Sequence, residues 1–188
     1  MKIALGCDHI VTDVKMKISK HLKEQGHEII DVGTYDFVRT HYPIYGRLIA
    51  EEVVNGRADF GVALCGTGVG IAVSADKVPG TRVVLVGDVA TARSARENLN
   101  ANIVAFGGAI LGINFINNIV DEFINTKYKP SPEKEELISK IDKLSEVSPD
   151  VAANDHIFDE ENAKWDRGEY HDQYSSKISL NYVSVALP

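Results

Sequence analysis

Residues 59–70 read Asp59-Phe60-Gly61-Val62-Ala63-Leu64-Cys65-Gly66-Thr67-Gly68-Val69-Gly70. An apolar run of strand length passes straight into a glycine-rich turn, and the residues to about 77 read as a short helix. The same unit recurs on both sides. Residues 2–6, 28–32, 59–64, 81–86 and 103–106 are short Val- and Ile-rich runs that stop at or beside Gly or Asp. Residues 13–25, 43–55, 89–98 and 110–125 are amphipathic. In the first of these, Val14, Met16, Ile18 and Leu22 supply the apolar positions among Lys and Glu. Five strand–helix units in succession predict a three-layer, doubly wound (Rossmann-like) α/β fold around a five-stranded parallel sheet. Ligands of such sheets lie beyond the carboxyl ends of the strands. That singles out residues 7–10, 33–42, 65–70, 87–88 and 107–108.

After Thr126 the pattern breaks at Lys129-Pro130-Ser131-Pro132. Residues 133–144 then read as a charged C-terminal helix, and an extended tail follows from 148. The expected division is an α/β domain over 1–147 and a C-terminal extension over 148–188, with the Trp165 region packing on a partner subunit. Residues 179–185 alternate weakly, like an edge strand.

The 188 residues carry 20 Lys and Arg against 27 Asp and Glu, a formal net charge of -7. Such a chain is a poor partner for nucleic acid or an anionic membrane surface. No run approaches the roughly 18 apolar residues that span a bilayer. The start has no secretory pattern, and two cysteines make no disulfide framework. These features predict a reducing, cytoplasmic setting. No His, Cys or Asp cluster has metal-ligand spacing, so neither metal nor other cofactor is expected.

The loop Cys65–Gly70 carries the strongest chemical signal. Glycines allow close backbone approach and turn amides toward a ligand. The helix that follows presents its positive end there, which suits an oxyanion and favours the thiolate form of a cysteine. A P-loop is excluded because Ile71-Ala72 follows Gly70. A dinucleotide fingerprint is excluded by the G-x-G-x-G spacing after a third strand. A cysteine phosphatase is excluded because Ile71 stands where its Arg belongs. The loop alone is equally what a tight turn with a small buried Cys looks like. Asp8-His9 ends the first strand and, if strands one and three are neighbours, sits beside Cys65; the plainer alternative is a capping Asp and a solvated His. Arg39, in Arg39-Thr40-His41-Tyr42-Pro43, offers a fork for phosphate or hydroxyls, although a lone loop Arg is usually just solvated.

Together these residues resemble the ribose-5-phosphate isomerase B family. The matching motifs are Gly6-Cys7-Asp8-His9, Gly33-Thr34-Tyr35, Tyr42-Pro43, Gly56-x-Ala58-Asp59, the Cys65–Gly70 loop, Lys77-Val78-x-Gly80-x-Arg82 and Asn100-Ala101-Asn102. The segment from Arg39 to Tyr45 and the tail from Asp155 to Asp172 resemble the B-type subunits of the family's galactose-6-phosphate branch. The resemblance implies an aldose–ketose isomerase interconverting galactose 6-phosphate and tagatose 6-phosphate through a cis-enediolate. It implies Cys65 as the base and Thr67, with the amides of Gly66, Gly68, Val69 and Gly70, as the enediolate hole. Asp8, His9, Arg39 and Tyr42 are then substrate contacts.

Two departures matter. In the family, a His-Asn-Asp-Ala-Asn stretch supplies a His that opens the sugar ring, whereas the matching stretch here is Asn98-Leu99-Asn100-Ala101-Asn102. The family carries phosphate-binding arginines after its last long helix, and here residues 128–134 hold none. The resemblance therefore implies half a site, completed by an A-type subunit in a hetero-oligomer. The competing readings are a homomeric ribose-5-phosphate isomerase, a non-catalytic sugar-phosphate-binding scaffold, and a redox pair of Cys7 with Cys65.

Overall fold

Five strands, β1 (Lys2–Cys7), β2 (Glu28–Gly33), β3 (Phe60–Cys65), β4 (Val83–Leu85) and β5 (Ile103–Gly107), form one parallel sheet in the order β2-β1-β3-β5-β4. The helices are α1 (Thr12–Glu24), α2 (Tyr42–Val54), α3 (Val69–Asp76), α4 (Val89–Leu99), α5 (Ile113–Asn125) and α6 (Pro132–Lys143), with α7 (Asp159–Asp166) further on. This computed structural model describes residues 1–143 and 159–168. The chain falls into two units, Met1–Asn154 and Asp155–Pro188, and each is taken by itself. The expected boundary at 147/148, the packing of the Trp165 side chain and the weak strand at 179–185 all lie outside the described residues. Within the second unit α7 replaces part of what reads as tail.

Handedness fixes which helix covers which face. Right-handed crossovers that step one way along the sheet share a face. The steps β2 to β3 and β3 to β4 run one way, and α2 and α3 pack together over Ala4, Ala63, Cys65 and Ala105. The steps β1 to β2 and β4 to β5 run the other way. So α1 and α4, joined by α5, cover Ile3, Leu5, Cys7, Val62, Leu64 and Phe106. The result is the expected three-layer arrangement, in which β5 inserts between β3 and the edge strand β4.

Three local readings change. The strand expected over 81–86 pairs only over Val83–Leu85. Thr81 instead closes the turn after α3, its Oγ1 donating to Val78 O (2.7 Å) and Ala75 O (3.0 Å). The helix expected from 110 starts at Ile113, because the amides of Ile110 and Leu111 fold back onto Gly107 O at 3.1 Å each. On α1, Met16 points outward, 54% exposed, while Lys15 is fully buried.

The α2/α3 face is built on small residues. A Cβ on Gly46 of α2 would stand 2.8 Å from Ile71 O and 3.2 Å from Ala75 N, both backbone atoms of α3. Those atoms move only if a helix moves. Gly46→Ala gains about 1 kcal/mol of helix propensity, yet it is expected to lower stability by about 1–3 kcal/mol net through overpacking. The urea midpoint of the variant against wild type measures this.

Candidate active site

The strand ends that form the cleft are level. Cys7 pairs with Leu64 and Cys65 with Gly107, so Asp8 and Cys65 leave adjacent strands side by side. The chain from β1 turns to the α1 face and the chain from β3 to the α3 face. The crevice between them is the switch point of the sheet.

The 65–70 loop is held from behind. Cys65 O and Gly66 O accept from the amides of Gly108 (3.0 Å) and Ala109 (3.1 Å). Two of its carbonyls are thus tied to the end of β5, and two of its amides, those of Gly68 and Val69, turn onto side chains of the loop itself. Gly68 adopts φ +81°, and a Cβ there would stand 2.8 Å from Gly107 N, so only glycine fits. In that conformation Gly68 N–H donates to Cys65 Sγ at 3.1 Å. The sulphur is thereby oriented, with a donor that complements negative charge on it. Cys65 is 4% exposed. Thr67 lies on the exposed rim, its Oγ1 accepting weakly from Val69 N–H at 3.4 Å. A Cβ on Gly70 would fall onto the Tyr42 ring, so Tyr42 stacks across the start of α3.

Asp8 is buried, 3% exposed. Its Oδ1 accepts from Ile10 N–H at 3.1 Å and caps the short turn over residues 9–11. Burial pushes its carboxyl up to about 6, against the opposing pull of that amide and of the Arg39 guanidinium. His9 Nδ1 accepts from Thr40 N–H at 3.3 Å. The neutral ring then carries its proton on Nε2. Thr40, given no role by the sequence, so orients His9, and its own Oγ1 shares a hydrogen bond with Tyr45 OH at 3.0 Å. Thus Asp8, His9, Arg39, Tyr42, Cys65, Gly66, Thr67, Gly68, Val69 and Gly70 gather at the carboxyl end of the sheet.

Cys7 does not join them. Strand alternation sends Cys7 to the α1 face and Cys65 to the α2/α3 face, and both are free thiols. Burial pushes the Cys7 thiol up to about 12. Cys7 is a core residue, and the two thiols cannot pair without rebuilding a strand.

Residues 98–102 stand at the opposite end of the sheet, where α4 enters β5. They are engaged there. Asn98 Nδ2 donates to Ser94 Oγ (3.1 Å), and Asn102 accepts from Arg82 N–H (2.8 Å) and donates to Gly80 O (2.9 Å). Lys129 pairs with Glu97 at 2.6 Å, and Lys134 Nζ donates to Glu97 O at 3.2 Å.

The Asp8 carboxyl gives a pH test. Its folded value of about 6 lies above the roughly 3.9 of a free Asp, so between these values the folded state binds the extra proton. Stability from this group falls as pH rises from about 4 through about 6 and is flat above. Asp8→Asn keeps the acceptor for Ile10 and removes that loss. It is expected to be about 1–3 kcal/mol more stable than wild type at pH 8, and no more stable at pH 4. Urea unfolding at the two pH values checks this.

Known proteins are similar to this chain in sequence and in architecture. A family model described as Ribose/Galactose Isomerase matches residues 3–141. The galactose-6-phosphate isomerase subunit LacB of Clostridium acetobutylicum is 59% identical over 170 residues, spanning 90% of this chain and 98% of that one. Ribose-5-phosphate isomerase B of Escherichia coli is 40% identical over 128 residues, spanning 68% and 86%. Among solved structures, the Clostridium thermocellum ribose-5-phosphate isomerase B matches with a TM-score of 0.75 at 36% identity, covering 77% of this chain and 97% of that one. The Mycoplasma genitalium enzyme with bound ribulose-5-phosphate matches at 0.73 and 31%, covering 78% and 97%. Among the described residues no helix is long and apolar enough to cross a membrane. With a family model matching residues 3–141 and relatives of 40–59% identity, the chain belongs to the ribose/galactose isomerase family and is an aldose–ketose isomerase.

Proposed function

We propose that this chain interconverts D-galactose 6-phosphate and D-tagatose 6-phosphate, with Cys65 as the base, in a site completed by an A-type subunit. One observation carries this reading: Cys65 and its amide-lined loop occupy one end of the sheet, while residues 98–102 occupy the other. The similarity to a LacB subunit over nine-tenths of the chain favours the galactose branch.

In the open-chain aldose, Cys65 thiolate removes the proton from C2. The C2 electron pair forms a C1–C2 double bond, and charge moves onto O1. Amides of the Gly66–Gly70 loop and the Thr67 hydroxyl are assigned to stabilise that oxygen. A proton passes from O2 to O1, Cys65 returns its proton to C1, and O2 becomes the ketone. No electron leaves the substrate, so the reaction needs no redox partner. Asp8 and the His9 Nε2–H hold sugar hydroxyls or the phosphate. Tyr42 and Arg39 line the same pocket, Arg39 as a cation on an otherwise acidic chain.

Ring opening and much of the phosphate contact fall to the partner. Ile10, Val69, Val73 and Ile110, on elements around the cleft, are each at least half exposed, and such an apolar rim suits a neighbouring subunit. The C-terminal extension, residues 148–188, is assigned to packing on a partner subunit. The enzyme is placed in the cytoplasm, where two unpaired cysteines are stable.

Isomerisation of galactose 6-phosphate by the chain alone, and by the chain co-expressed with an A-type subunit, tests the reading. Activity is expected only in the mixture. Cys65→Ala is expected to lower kcat by about 10² to 10⁴-fold with substrate binding retained. Turnover of ribose 5-phosphate by the chain alone would overturn both the substrate and the shared site. Unchanged activity in Cys65→Ala points to a binding scaffold.

A further inference from the structure

Lys15 lies on α1 and is fully buried. Its Nζ donates to Asp31 Oδ1 at 2.5 Å and stands 4.6 Å from the centre of the Tyr35 ring. An ammonium removed from water is costly unless such partners surround it.

The partners are informative. Asp31 is the last β2 residue in regular register, since Leu5 pairs with Asp31 but Gly6 pairs with Gly33. The intervening shift is a bulge, and a bulge re-aims the chain that leaves it. The same Asp31 Oδ1 also accepts from Gly33 N–H at 2.9 Å, and Asp31 O accepts from Tyr35 OH at 2.8 Å. Two further bonds continue the seam: Thr34 N–H to Cys7 O (2.9 Å) and Thr12 Oγ1 to Asp36 O (2.7 Å). The segment so anchored leads to Arg39, to the Thr40 amide that orients His9, and to Tyr42.

We infer that Lys15 is a positioning residue. Its ammonium, clamped between Asp31 and the Tyr35 ring, sets the exit of the 33–41 loop and so the place of Arg39, His9 and Tyr42. The inference rests on the reading of those three as substrate contacts. The base lies in a different loop, so Lys15 governs KM rather than kcat.

Lys15→Met keeps the stem and removes the charge. Asp31 is 24% exposed and still reaches water, so the variant folds. Tyr35→Leu, at a side chain 70% exposed, removes the ring without touching the core. Lys17→Met, on the exposed ion pair with Asp13, is the control. Two readouts are taken. The first is hydrogen exchange of amides 34–41 in the full chain alone, against those of β3 and β5. The second is KM and kcat for galactose 6-phosphate in the co-expressed assembly. Lys15→Met is expected to speed loop exchange and raise KM at least about tenfold, with kcat within about threefold, because small misplacements of binding groups cost up to about 10². Tyr35→Leu is expected to shift both in the same direction, and Lys17→Met neither. Unchanged loop exchange in both variants overturns the inference, as does faster exchange with unchanged KM. An inactive wild-type assembly refutes the proposed reaction instead, and the exchange readout still decides whether Lys15 sets the loop.

Discussion

Two stretches of backbone meet at the floor of the cleft with no side chain between them. Gly68 packs against the peptide of Phe106 and Gly107, and a Cβ on Gly107 would stand 2.9 Å from Thr67 O. This contact ties the 65–70 loop to the end of β5 and fixes the left-handed turn at Gly68. That turn in turn aims the Gly68 amide at Cys65 Sγ. The position of the sulphur therefore depends on this turn as well as on the packing around Cys65. The loop amides proposed to meet the enediolate oxygen are held by the same contact, and preorganised donors need no rearrangement as charge develops.

The sheet separates structural from chemical roles by face. On the α1/α4/α5 face the strands contribute Ile, Leu, Val and Phe, and Cys7 is one more buried apolar group there. On the α2/α3 face they contribute Ala4, Ala63 and Ala105, and Gly46 brings α2 onto the backbone of α3. Small residues let these two helices ride close to the sheet. Tyr42 opens α2 and covers Gly70 at the start of α3, so that close approach closes one wall of the cleft. Alternation along two neighbouring strands is enough to give the two thiols different fates.

Much of this was legible in the sequence. Short Val/Ile runs ending at Gly or Asp marked the strands, while the pairing of β1 with β3, only a condition in the sequence, is supplied by the sheet itself. The Cys65–Gly70 and Asp8-His9 signals were local and marked chemistry at the strand ends. What stayed hidden depends on exposure that only the folded chain defines. Residues 81–86 look like any interior strand, yet half-exposed Val83 and Val84 and exposed Leu85 mark an edge. Lys15 reads as a polar position on an amphipathic helix, because a helical pattern distinguishes faces and not the depth of the groove a face enters. Thr40 carries no signal, since its contribution is a backbone amide that reaches His9 across 31 residues of chain.

The length of the sheet bears on the proposal that the site is shared between subunits. β3 is a six-residue strand, so its two ends lie about 20 Å apart at about 3.3 Å per residue. Cys65 is at one end. The 98–102 turn and the Lys129 and Lys134 contacts to Glu97 are at the other. Every strand between them is hydrogen-bonded on at least one side, and the core on both faces is closed. No hinge in the described domain carries one end to the other. Residues 98–102 therefore do not reach the cleft of their own domain, and in the proposed reading the group that opens the sugar ring above Cys65 comes from a partner subunit across the apolar rim. The proposed division of the site between subunits fits parallel-sheet geometry, in which the two ends of every strand face opposite directions.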